Sequence, residues 1–148
     1  MIRKQLIRAG GEQRLVTVVR RKRWLSYDGY VVAVSRDWVA LRTLTVGLVV
    51  LKVDDIRVVR KASGPKKTRR ALKRRGEWPP TAPQVLDVWD LRSLLFTAGS
   101  LTPIVGIATE HAGRKALHAG TVFRITDKHV HLSDGTRLRL DEVTRLNL

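Results

Sequence analysis

Cationic side chains set beside aromatic rings are the residues of this sequence best suited to chemistry, and that chemistry is recognition of a polyanion. Arg20, Arg21, Lys22 and Arg23 run directly into Trp24, with Tyr27 and Tyr30 just beyond. A second run, Lys66, Lys67, Arg69, Arg70, Lys73, Arg74 and Arg75, leads to Trp78. The stretch from Arg60 to Arg75 holds nine basic residues and no acidic one. Lys and Arg meet phosphates while bases stack on aromatic rings, the combination that holds single-stranded nucleic acid. The same rings have a packing alternative: Trp24 as a plug at a barrel edge, with Trp38 and Trp89 in the core.

Other chemistries find less material. His129 and His131 are two apart on a strand, a spacing that can chelate a metal, but no third ligand is evident. Asp54-Asp55 and Asp141-Glu142 suggest paired carboxylates, yet neighbours on a strand point apart, and their recurrence at one corner argues for turn capping. No serine has a His/Asp arrangement, and no glycine-rich phosphate loop is present. No catalytic residue, cofactor or metal is therefore expected.

Composition sharpens the polyanion reading. The 148 residues include 29 Lys+Arg against 13 Asp+Glu, a formal charge of +16, with 43% hydrophobic residues and no cysteine. That apolar content supports a packed core, and the missing cysteines exclude disulfides, thiolate metal sites and thiol nucleophiles. No apolar run approaches the ~20 residues of a membrane span, and the start lacks a signal-peptide core, so a cytoplasmic protein without membrane association is expected. Residues 1–76 carry 21 basic and 5 acidic residues, whereas residues 77–148 carry 8 of each. The first half holds the whole excess, which repels itself and calls for a polyanion.

The elements that must position these residues come from a weak duplication. Residues 29–41 match residues 120–132 at an offset of 91, with Gly29/Gly120, Val31/Val122, Val39/Val130 and Leu41/Leu132 identical. Residues 51–59 match 138–146 at an offset of 87, the length change falling in a hairpin connection. Strands are predicted over 15–20, 30–34, 38–42, 46–53 and 56–59, and again over 103–109, 119–126, 129–133, 137–140 and 144–148. Asp134-Gly135 is a strong hairpin signal. A short helix over 2–9 precedes the first set, and a helical run over 85–95, with Asp87 near its start and Leu91, Leu94 and Leu95 on one face, precedes the second. Between them, 66–75 can form a few turns of basic helix. Like charges at Lys66/Arg70, Arg69/Lys73 and Arg70/Arg74 oppose it, so the segment is expected to order when anions neutralise it, or else to remain a flexible linker.

Two such units, each with a Gly-x-Val-x-x-hydrophobic strand, a short turn, Val-x-Leu and a closing Leu-x-hydrophobic-Asp-acid-hydrophobic corner (Leu51–Ile56, Leu138–Val143), resemble the Sm-like small β-barrel. The pattern is similar to the C-terminal barrel of the bacterial ribosome maturation factor RimP and, with Asp37 to Leu41 in the first unit, to uncharacterised actinobacterial proteins. The resemblance implies a mainly β protein of two tandem five-stranded barrels, 1–60 and 85–148, each with a short N-terminal helix, joined by a basic Pro-containing linker at 61–84. It also departs from the family. The positions of the Sm RNA pocket are Ser35, Thr126, Val39 and Val130, and no Arg-Gly follows Asp54-Asp55 or Asp141-Glu142. The family's base pocket is therefore not carried over.

The combined expectation is a non-enzymatic nucleic-acid-binding protein, RNA favoured over DNA. Its contacts would be Arg20, Arg21, Lys22, Arg23, Trp24, Lys66, Lys67, Arg69, Arg70, Lys73, Arg74, Arg75 and Trp78, with the neutral second unit as a scaffold. The alternative is an assembly module whose barrel edges pair, or whose basic surface meets an acidic protein.

Overall fold

The computed structural model describes residues 1–21, 25–62, 64–78, 90–97 and 105–147, and the protein is mainly β. Helix α1 (Ile2–Gly11) buries Leu6 and Ala9 and precedes strands β1 (Val16–Arg20), β2 (Ser26–Val34), β3 (Trp38–Thr43), β4 (Gly47–Lys52) and β5 (Ile56–Lys61). Helix α2 (Pro65–Arg74) and helix α3 (Leu91–Thr97) follow. Strands β6 (Val105–His111), β7 (Arg114–Gly120), β8 (Val122–Ile125), β9 (His129–Leu132), β10 (Arg137–Arg139) and β11 (Val143–Asn147) complete the chain.

The duplication is structural as well as textual. In the first repeat β2 pairs with β1 through Ser26–Gly29 and with β3 from Gly29 onward, so one long strand bends between two partners. In the second, β7 pairs with β6 and β8 with β9, the division falling at Thr121. A bulge interrupts the register at Val32 in the first repeat and at Phe123, its equivalent, in the second. Ser35 and Thr126 close the same turn: their hydroxyls accept from the N–H of Trp38 and His129 at 3.0 and 3.1 Å. The Val53 N–H donates to the Asp37 carbonyl at 2.9 Å, as the Leu140 N–H does to Lys128 at 2.8 Å. Both acidic corners, Val53–Asp55 and Leu140–Glu142, are single 3-10 turns.

The expected pair of closed barrels is corrected. Closing the first repeat would require β4 to pair with β5, but the second edge of β4 is taken by β11, with Leu51 opposite Arg145, Val50 opposite Leu146 and Val49 opposite Asn147. The result is an open eight-stranded sheet in the order β5-β1-β2-β3-β4-β11-β6-β7, beside a three-stranded sheet β10-β9-β8. Strands from both repeats thus share one sheet.

That shared sheet explains strands apolar on both faces. One face of β2–β4 carries Val31, Val34, Val39, Leu41, Val49 and Leu51, which pack with Leu6 and Ala9 of α1. The opposite face runs Ala33, Ala40, Val50, Leu146 and Ile107 in register across five strands. Those residues join Leu91, Leu94 and Leu95 of α3 and the interior of the second repeat, Val130 and Leu132 included. The three leucines anticipated for one helical face are therefore buried, on a helix described over Leu91–Thr97. Asp90 caps it, accepting from the Ser93 N–H at 2.8 Å, and this contact holds the Asp90 carboxyl below its ordinary pKa. Residues 85–89, Asp87 among them, lie outside the described residues. Sequence reading also missed the first half of β7, because Arg114, Lys115 and His118 give it no apolar alternation. No helix among the described residues is long and apolar enough to cross a membrane.

Gly29 fixes the bend. A Cβ there would lie 2.0 Å from the carbonyl oxygen of Arg42, whereas one at Gly106 would meet only Asn147 at 3.8 Å. Gly29→Ala is expected to cost about 3 kcal/mol, the upper part of the range for a forced backbone shift, and Gly106→Ala little. Paired thermal melts of the two variants check this; equal melting temperatures would contradict the fit.

Candidate nucleic-acid interface

Helix α2 is a highly cationic segment whose ends and one face are held by the rest of the chain. Gly64 sits at its N-cap with φ 79°, Pro65 occupies the first turn, and the Thr68 N–H donates to the Gly64 carbonyl at 3.3 Å. At the other end Gly76, with φ 71°, donates to Lys73 at 3.0 Å, while the Glu77 N–H reaches the Leu72 carbonyl at 2.9 Å. That pair of bonds is a Schellman closure. Leu72 is fully buried and Thr68 nearly so, with Leu72 packed among Leu15, Tyr30 and Ala62. Burying one leucine is worth about 1.5–3 kcal/mol. Three like-charged i,i+4 pairs cost about 0.2–0.5 kcal/mol each, so packing wins. The helix anticipated for this segment is present, and it packs on the first repeat through Leu72.

Docking on one narrow face leaves the cations outward. Lys66, Lys67, Arg69, Arg70, Lys73, Arg74 and Arg75 are all exposed. Trp78 is half-buried against the Leu15, Tyr30, Ala62 and Leu72 cluster and stands edge-on to Tyr30 with centroids 5.8 Å apart, while the Tyr30 hydroxyl donates to the Glu77 carbonyl at 3.0 Å. Burial pushes the Tyr30 phenol above its ordinary pKa. Trp78 thus anchors the segment that follows α2.

The other predicted run divides. Arg20, expected among the phosphate contacts, is 5% exposed, and its Nε meets Asp55 Oδ2 at 2.5 Å. Its charge is answered inside the protein, and Asp55 does more than cap a turn. Arg21 is exposed; its backbone N–H donates to the Asp55 carbonyl at 2.7 Å and its Nε to the Ile56 carbonyl at 3.3 Å. Lys22, Arg23 and Trp24 lie outside the described residues.

A second basic surface, which the charge runs do not spell out, adjoins the edge strand β5. A groove of about 240 Å³ between α1 and β5 is lined by Arg8, Arg14, Arg60 and Lys61 with Gln5 and Val59. Arg8 and Arg14 both contact Glu12, at 3.0 and 2.5 Å, and hydrogen bonding by Arg8 holds that carboxyl below its ordinary pKa. The chain then leads from Lys61 into α2, so the groove and the helix are continuous in sequence. A larger groove of about 720 Å³ at the junction of the repeats mixes Arg21, Lys52, Lys115 and Arg145 with Asp54, Asp141 and Glu142. Its balanced charge gives no preference for an anion. The His129 and His131 rings lie 6.1 Å apart, and no cluster of three metal-ligating residues occurs among the described residues.

No family model, curated protein or solved structure matches this chain.

Removing one member of a buried ion pair strands the other, at about 3–5 kcal/mol. Arg20→Met should therefore lower unfolding stability by roughly that amount in urea melts, and Arg21→Gln by less than about 0.5 kcal/mol, as at an ordinary surface site. Equal effects would contradict the placement of Arg20 as a structural residue.

Proposed function

We propose that the protein is a non-enzymatic, cytoplasmic nucleic-acid-binding protein of two tandem Sm-like repeats that prefers RNA to DNA. The observation carrying this reading is α2 with its C-cap Arg75, a docked segment with seven outward cations between Lys66 and Arg75 and no acidic residue among them. A rigid array of cations displaces counterions from a phosphate backbone with little further ordering cost, so binding is strong at low salt and weakly sequence-specific. The basic groove between α1 and β5, which leads in sequence into α2, adds further cations. RNA is favoured because the described helices are short and none is a free recognition helix for a major groove.

A second reading is favoured by one specific pairing. Strand β4 of the first repeat pairs with β11 of the second, while the corresponding strands β10 and β5 each have one strand partner among the described residues. An assembly module would use the other edges of those strands, or the basic surface would meet an acidic protein.

Titrating RNA and DNA oligomers at several salt concentrations separates the two. Changing the seven cations from Lys66 to Arg75 to Gln should weaken RNA binding and flatten the plot of log K against log salt by about 0.7 for each single-strand phosphate no longer neutralised. An unchanged slope, or no binding by the native chain at physiological salt, would sink the proposal. Nuclease-insensitive enrichment of one acidic protein would support the second reading.

A further inference from the structure

The equivalence of the two repeats exposes a surface that net charge conceals. In the first repeat Ala33, Ala40 and Val50 form one cross-strand row, buried with the leucines of α3, and Trp38 pairs with Lys52 beside it. The same positions in the second repeat are Arg124, His131 and Arg137, with His129 opposite Arg139 in the neighbouring pair. Val130 and Leu132, which alternate with those histidines along β9, are buried, so this face of β8–β9–β10 points away from the core. A surface that is apolar and covered in one copy is cationic in the other, and no described element covers it there.

Its charge is also available. Arg139 on this face is answered by Asp141, and other acidic residues of the second repeat are engaged elsewhere. Glu142 meets His111 at 2.9 Å, Asp141 holds Arg139 at 2.6 Å, and Asp134 accepts from the Thr136 N–H at 2.9 Å. Asp127 stands in the β8–β9 turn, beyond the Arg124 row. Neither Arg124 nor Arg137 has a carboxylate partner among the described residues, and both are exposed. Burial, then the charges of Arg124, His129 and Arg137, push the His131 imidazole below its ordinary pKa, as expected of cations sharing one face.

An aromatic ring completes the surface. Phe123 is 76% exposed at the β8 bulge, next to Arg124. Its equivalent, Val32, is half-buried against the Leu15, Tyr30, Ala62 and Leu72 cluster. No helix covers Phe123 among the described residues. Ring and cations together suit a base and its phosphates better than a purely acidic peptide, which has no use for the ring.

We propose that the outer face of β8–β9–β10 is a second nucleic-acid site specific for single strands, with a base stacked on Phe123 and phosphates held by Arg124 and Arg137. This rests on the nucleic-acid reading above and changes it: the repeat with no net charge is a reader, and duplex, whose bases are already stacked, binds only through α2.

The test uses the full chain, a labelled oligouridine of about twelve nucleotides, within the usual single-strand site range, and a duplex of equal length. Phe123→Ala should weaken single-strand binding roughly 5- to 150-fold, the range for losing one stacked base, and leave duplex binding unchanged. Arg124→Gln with Arg137→Gln should weaken single-strand binding and lower its salt slope. In the native chain, followed by NMR, oligouridine should raise the titration midpoint of His131, a readout that needs no variant. Native affinity in both variants, or a His131 midpoint that does not move, overturns this site while leaving the α2 reading intact. Failure of the native chain to bind any oligomer overturns both. Binding of polyglutamate that competes fully with RNA and ignores Phe123→Ala would assign the face to an acidic protein instead.

Discussion

Val50 and Leu146 face each other across β4 and β11, and the rest of the structure depends on that contact. It joins two repeats into one sheet and so turns the outer face of the first repeat into an interior. Ala33 and Ala40 can be small and apolar because α3 and the second repeat cover them. Once β4 is committed to β11, the first repeat cannot close on itself. Its stability then comes from two apolar layers, one under α1 and one under α3, in place of a sealed barrel.

The same pairing partitions charge. Cations are excluded from both layers, apart from Arg20, whose burial is answered by Asp55. Three groups of cations lie where apolar cover ends among the described residues: on the outward side of α2, along the β5 edge, and on the outer face of β8–β10. Positive residues on an exposed edge also discourage strand addition, so Arg57, Arg60 and Lys61 protect β5 from indiscriminate pairing. Self-repulsion among these groups is the energetic reason a polyanion would bind, because it lowers a cost that folding leaves in place.

Much of this was legible in the residues. The 91- and 87-residue offsets located both copies of the bent strand, the hydroxyl-capped turn and the acidic corner, because backbone geometry constrains those positions directly. Leu91, Leu94 and Leu95 announced a buried helical face through spacing alone. The β4–β11 pair was less legible, since edge pairing depends on which carbonyls and amides remain free after folding, and strand composition carries no such information. Arg20 was misplaced among the contacts for a related reason: its partner Asp55 is 35 residues away, and four consecutive basic residues look alike until one of them turns inward. Net charge misled about the second repeat as well. A balance of eight and eight is silent on sidedness, whereas cross-strand register puts Arg124, His131 and Arg137 in one row.

The central claim is that cations collect on two separate faces, α2 with the β5 groove and the outer side of β8–β10, to hold a nucleic acid. Amide hydrogen exchange of the full chain with and without saturating single-stranded RNA tests it most directly. The account predicts slowed exchange in α2 and in β8 to β10, with the buried row from Ala33 to Ile107 unchanged. Protection confined to the charge-balanced groove between the repeats, or none anywhere, would contradict it.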